Sequence, residues 1–207
     1  ENCVSEGNVT SSRYIGGFIG YVSQSSNVIM NISNCINNGN ITGYKYYVGG
    51  FIGYLSYNNK IALFTDNSTN NGIINGDLNL AGFFGDVTDN HNINITLTNS
   101  VNNGNVNGIQ NQVAGFIGCM SVGNDVLVTL SNLQNNGNIT GHLHIGGHCG
   151  YVGGITGTTV TISSCVNNGM VSGYQHIGGL IGHFSDIDIL SVSKCTNNGN
   201  VTGTHFI

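Results

Sequence analysis

The chain is 207 residues long, with 33 Gly, no Pro, no Trp, only 6% charged residues and a net charge of −5. Its cations are Arg13, Lys45, Lys60 and Lys194, too few and too scattered for nucleic acid, because phosphate binding needs clustered positive charge. No run of about 20 apolar residues is present, which excludes a helical membrane span. The length suffices for one sizeable core. Its polarity comes from neutral groups, 34 Asn and 34 Ser plus Thr, and its richness in Ile and Val separates it from disordered chains. The chain opens at Glu1 without an initiator Met or a signal peptide, and reads as a processed chain or as part of a longer one.

In chain order, the first predicted element is a short strand of the type Gly-Asn-Ile-Thr-Gly. Its central residue is always apolar: Val9, Ile41, Ile74, Val106, Ile139, Val171 and Val201. With a side-chain period of two, that residue points inward and its polar neighbours point outward. The second element is the Gly-rich segment Val-Gly-Gly-Phe-Ile-Gly-Tyr, a strand thinned by Gly so that backbones can approach closely. The third alternates plainly, as in Ile93, Ile95 and Leu97 around Asn94 and Thr96. Asn-Asn-Gly marks the corner before the first strand, where Asn and Gly tolerate left-handed backbone.

These elements recur at a fixed period. The glycine after the Asn pair falls at 7, 39, 72, 104, 137, 169 and 199, and the glycine closing the second strand at 20, 53, 85, 118, 150 and 182. Both series step by 30 to 33 residues. No segment carries a 3.6-residue apolar stripe with caps. The prediction is therefore an all-β, single-domain parallel β-helix over residues 1–207. It has about six rungs of about 32 residues, three short strands per rung, and a height of roughly 29 Å at one strand spacing per rung. Low charge follows from this geometry: like residues stack at every rung, like charges so stacked repel, and Asn ladders hydrogen-bond instead.

The pattern Ser-Asn-Cys-Ile-Asn-Asn-Gly-Asn-Ile-Thr-Gly followed by Tyr-Val-Gly-Gly-Phe-Ile-Gly-Tyr resembles the GLUG repeat. Its Gly-Leu-apolar-Gly core is matched at Gly179-Leu180-Ile181-Gly182, and Gly147-His148-Cys149-Gly150 departs most. The resemblance spans nearly the whole chain and implies a secreted or surface-attached, adhesin-like protein with no catalytic residues to carry over.

Read down columns, the cysteines pair. Cys3 with Cys35, and Cys165 with Cys195, share one column in adjacent rungs, inside the Cα range of a disulfide; Cys119 and Cys149 form a looser third pair. Disulfides would place the chain in an oxidising, extracellular compartment. Sequons stand at Asn8, Asn31, Asn40, Asn67, Asn94, Asn138 and Asn200, no more than composition alone would give. Four of them (Asn8, Asn40, Asn138, Asn200) share an outward column suited to N-glycans.

Thr10, Thr42, Thr140 and Thr202, with Ser172, form a hydroxyl column of the sort found on ice-binding β-helices, but Ile73, Asn75, Asn107 and Met170 interrupt it. His144 and His176 share another column, with His142 two residues away. That column otherwise holds Tyr14, Tyr47, Asn79, Gln112 and Phe206, which reads as a stacking surface, so no metal or cofactor is expected. A polysaccharide-cleaving β-helix would need neighbouring acids, yet Asp86 and Asp89 lie three rungs from Asp186 and Asp188. Phe18, Phe51, Phe83, Phe116 and Leu180 form an apolar stripe, either an outward interface or a column covered by the protein's own backbone. Neither end shows a charged or helical cap, and uncapped strand edges template association.

The expected function is that of a non-enzymatic extracellular structural protein, a subunit or segment of a cell-surface fibre or adhesin. Its partner would be further copies of itself or of its repeat. The alternative is a monomeric module binding surface carbohydrate.

Overall fold

The computed structural model describes residues 1–121, 123–154 and 157–207. All regular structure among them is β, and every strand pairing is parallel. Partners lie one rung apart, as in Ile95 beside Val128 and Leu63. The chain is a β-solenoid of about six turns.

One rung shows how the sequence builds it. The corner pair Ile36–Asn37 leads into Ile41–Gly49, then Ile52–Ser56, then Asn59–Asp66. Stacked over the rungs, these give a seven-stranded ladder of corner pairs, an eleven-stranded sheet and two six-stranded sheets. Each rung thus has three walls, but the boundary between the first two differs from the expected one. The Gly-rich segment breaks at its glycine pair, so that its first half completes the wall begun by Ile41. The cause is steric. A Cβ on Gly50 would strike the carbonyl oxygen of Gly82 and lie 2.7 Å from Asn70 Oδ1. The chain can turn there only without a side chain.

That turn divides the interior in two. One core holds Ile41, Val48, Ile74, Leu80 and their equivalents inside the folded first wall. The other holds Phe51, Leu55, Leu63, Ile95 and theirs. Between them runs a buried ladder of Asn37, Asn70, Asn102, Asn135 and Asn167, ending at Asn197 near the end of the stack. Each amide donates to the carbonyl two residues on, at 2.8–3.0 Å, and each from Asn37 to Asn167 also donates to the Oδ1 of the next rung, at 2.7–2.8 Å. The glycine column packs directly on this ladder. Buried polar groups are tolerated when so satisfied.

The Phe column lies inside. Phe51, Phe83 and Phe116 are fully buried and stack at ring separations of 4.5–4.9 Å, with the half-buried Phe18 5.1 Å from Phe51. The turn at the glycine pair points Val48 into one core and Phe51 into the other, so this column belongs to the interior and not to an outward face. His148 continues the column, its ring 5.3 Å from that of Phe116.

Candidate functional site

On the outside, the same turn folds the first wall against the second and makes a seam. Tyr14, Tyr47, Asn79, Gln112, His144, His176 and Phe206 occupy one side, all with positive φ between 49° and 63°. Non-glycine residues rarely adopt this conformation. It points each side chain outward and lets its apolar neighbours (Ile15, Val48, Leu80, Val113, Ile145, Ile177) point in. Seven residues later, beyond the glycines, stand Tyr21, Tyr54, Asp86, Cys119, Tyr151 and His183, aligned rung on rung.

The seam changes character along its length. At the amino-terminal end it is aromatic: Tyr14 lies 4.9 Å from Tyr21, and Tyr47 lies 4.2 Å from Tyr54. In the middle the Asn79 amide donates to the Asp86 carboxylate, which is 2% exposed. Burial holds the Asp86 carboxyl up at about 7. Burial and that carboxylate push the Tyr47 phenol up to about 12. Cys119, one rung on, is buried too, and burial and then Asp86 raise its thiol.

Towards the carboxy-terminal end the seam becomes imidazole. One ring nitrogen from each of His144, His176 and His183 lies within 4.8 Å of the others. His176 and His183 meet Nδ1 to Nδ1 at 2.9 Å, and Gln175 Nε2 is 2.9 Å from the other nitrogen of His176. The rings of His144 and His183 stack at 4.9 Å. Burial, then His183 and His176, bring His144 down to about 4, and its buried Nδ1 has no partner. Burial and then His176 lower His183 as well.

Compared with known proteins, the chain matches no family model, no curated protein and no solved structure.

The residues singled out in the sequence are distributed as follows. Cys3 and Cys35 stand in adjacent rungs, the backbone N–H of Cys3 3.4 Å from Cys35 Sγ, and Cys165 and Cys195 repeat that geometry. All six cysteines are free thiols in this structure. Cys119 and Cys149 are not brought together: Cys119 lines the outer seam, whereas Cys149 belongs to the larger core. The strand alternation slips at the intervening Gly118: Ile117 and Met120 both enter the core and Cys119 turns out of it.

Asn8, Asn31, Asn40, Asn67, Asn138 and Asn200 are exposed, and Asn94 is half-buried. In the shared column the Oδ1 of Asn8, Asn40 and Asn138 accepts the backbone N–H of the next rung, at 2.8–3.0 Å. Their Nδ2, the atom a glycan takes, is left without a protein acceptor among the described residues. The hydroxyl column lies on the outer face, its centre filled by Asn75 and Asn107, whose Nδ2 donates to Asn75 Oδ1 at 2.9 Å. Asp188 accepts the backbone N–H of Gly157, and Asp186 is exposed. His142 lies outside the imidazole cluster, stacked on Tyr174. The facing side of the seam, from Tyr21 through Asp86 to His183, is what the sequence did not place there. A signal existed: Tyr14 and Tyr21, Tyr47 and Tyr54, and His144 and Tyr151 are each seven apart across a glycine pair.

Proposed function

We propose that the protein is a non-enzymatic extracellular structural solenoid, a segment or subunit of a cell-surface fibre or adhesin, in which further rungs of the same kind seat on its ends. One observation carries the reading. Val152 and Ile162 are fully buried, yet Phe184 and Val192, which continue their columns into the last rung, are 57% and 45% exposed. At the other end Phe18, Val28 and Met30 are only partly covered. Apolar columns ending beside an unpaired strand edge favour another rung, of the same polypeptide or of a neighbouring copy. Contacts of that head-to-tail kind propagate into filaments. The likeness to GLUG repeats and the paired cysteine columns support a secreted setting.

Sedimentation velocity and negative-stain microscopy test it. The chain is expected to form concentration-dependent end-to-end species that Phe184→Asp disperses. Discrete 21.7-kDa particles at high concentration overturn the fibre. Intact mass before and after reduction and deglycosylation checks the compartment: unchanged mass in material from its native source removes that support.

A second reading has its own observation. Thr42, Tyr44, Asn75, Asp77, Asn107 and Ile109 line an outer groove of about 370 Å³. An exposed aromatic ring beside amides and a carboxylate suits a neutral sugar. Saturable glycan binding by the monomer, lost in Tyr44→Ala, would favour this reading over the fibre.

A further inference from the structure

We infer that His144, His176 and His183 form a binding site for a late first-row divalent metal ion, with Zn²⁺ the natural probe. The site departs from the sequence expectation that no metal is bound, because His183 is brought in from across the seam. Three neutral imidazoles are a sufficient protein ligand set for tetrahedral zinc, leaving a fourth position to water. At Zn–N distances of about 2.0–2.1 Å, ligand nitrogens sit about 3.3 Å apart. The observed 2.9 Å between His176 and His183, and the 4.8 Å limit for all three, bracket that separation. Small rotations about χ2, a soft torsion for histidine, close the difference.

The scaffold holds the ligands in place. His144 and His176 are fixed one rung apart, and each is held by a left-handed backbone residue within a paired strand. His183 is registered beside Tyr151 in the facing sheet. All three are half-buried, shielded yet reachable. Gln175 supplies the outer-shell partner: with its carbonyl turned to accept Nε2–H of His176, it leaves Nδ1 free to bind the ion. His144 Nδ1 is buried without a hydrogen bond, so no protein group among the described residues competes for it. Electrostatics favour a cation as well, since no Lys or Arg occurs between residues 61 and 193 and the chain is net negative.

The ladder itself supplies suitable variants. His176→Tyr and His183→Tyr place in each column the residue that other rungs already carry there, Tyr47 and Tyr151, and so preserve the stack. Isothermal titration of the tag-free chain with Zn²⁺ at pH 7.5 is expected to give one site of micromolar or tighter affinity. Each Tyr variant should weaken it at least about 100-fold, the upper limit of outer-shell changes alone, while His142→Ala and His205→Ala leave it unchanged. Independently of any variant, Zn²⁺ should shift the imidazole NMR signals of His144, His176 and His183 and spare those of His142, His148 and His205. Absence of saturable binding, binding retained in both Tyr variants, or shifts at the other histidines would overturn the site.

Discussion

His148 offers the sharpest test of the column architecture. It stands in the Phe column, fully buried, where other rungs carry Phe51, Phe83 and Phe116. Its Nε2 lies 3.4 Å from the carbonyl oxygen of Leu133, which only an Nε2–H can satisfy, and its buried Nδ1 has no partner. Protonation would place a second N–H in an apolar core with nothing to accept it. Burial accordingly lowers this imidazole to about 4, the carbonyl of Leu133 only partly opposing the shift. An unfolded histidine titrates near pH 6.5.

The sign follows from proton uptake. Above about pH 6.5 neither state is protonated and His148 adds no pH dependence. As the pH falls from there to about 4, the unfolded chain binds a proton that the folded chain refuses, and stability falls. At 1.36 kcal/mol per pH unit the loss reaches about 3 kcal/mol by pH 4. His148→Leu, the residue found at 180 in the same column, removes the titration. Urea unfolding followed by tyrosine fluorescence suits a chain with nine Tyr and no Trp. Wild type and variant should differ by a constant amount from pH 8 to 7, with the difference then moving about 2–3 kcal/mol in the variant's favour by pH 4.5. Repacking changes the constant but not the slope, and every other titrating group cancels between the two proteins. A flat difference across pH 7 to 4.5 would refute the burial of a neutral His148 and, with it, the assignment of this column to the interior.

Further substitutions address the buried Asn ladder and the seam. Asn102→Ala removes a donor to Gly104 and Asn135 and an acceptor for Asn70. It should cost roughly 2–4 kcal/mol in urea unfolding, because buried partners are left unmade, whereas Asn103→Ala, in the exposed ladder beside it, should cost under about 0.5 kcal/mol. Asp86 is raised to about 7 by burial, so its effect is opposite in sign to that of His148: stability is lost as the pH rises from about 3.8 to 7, where the unfolded carboxyl ionises and the folded one resists. Asp86→Asn keeps an amide partner for Asn79 and should be more stable than wild type by roughly 1–3 kcal/mol at pH 8, with the gain vanishing near pH 4 in the same assay.

What the sequence made legible is what repeats. Glycines spaced by 30 to 33 residues and an apolar residue centred in every Gly-Asn-Ile-Thr-Gly segment determine a period, and in a parallel stack a period is a register. The register yields columns, and columns suffice to place Cys3 over Cys35 and His144 over His176. The sequence did not disclose what lies across from a column within one rung, because that depends on backbone bends that side-chain periodicity does not report. The glycine pair is such a bend. Read as the middle of a strand, it left the Phe column without a side and left Cys119 and Cys149, two columns apart in adjacent rungs, as a loose pair. Read as a corner, it sends Val48 and Phe51 into separate cores and folds Tyr47 onto Tyr54, Asn79 onto Asp86 and His176 onto His183. The chemistry of this protein is concentrated on that corner. Along most of the walls a side chain meets a near copy of itself in the rungs above and below, which selects neutral residues. Across the corner a residue meets a different one seven positions on, and there the repeat brings phenols, an amide with a carboxylate, and imidazoles against one another.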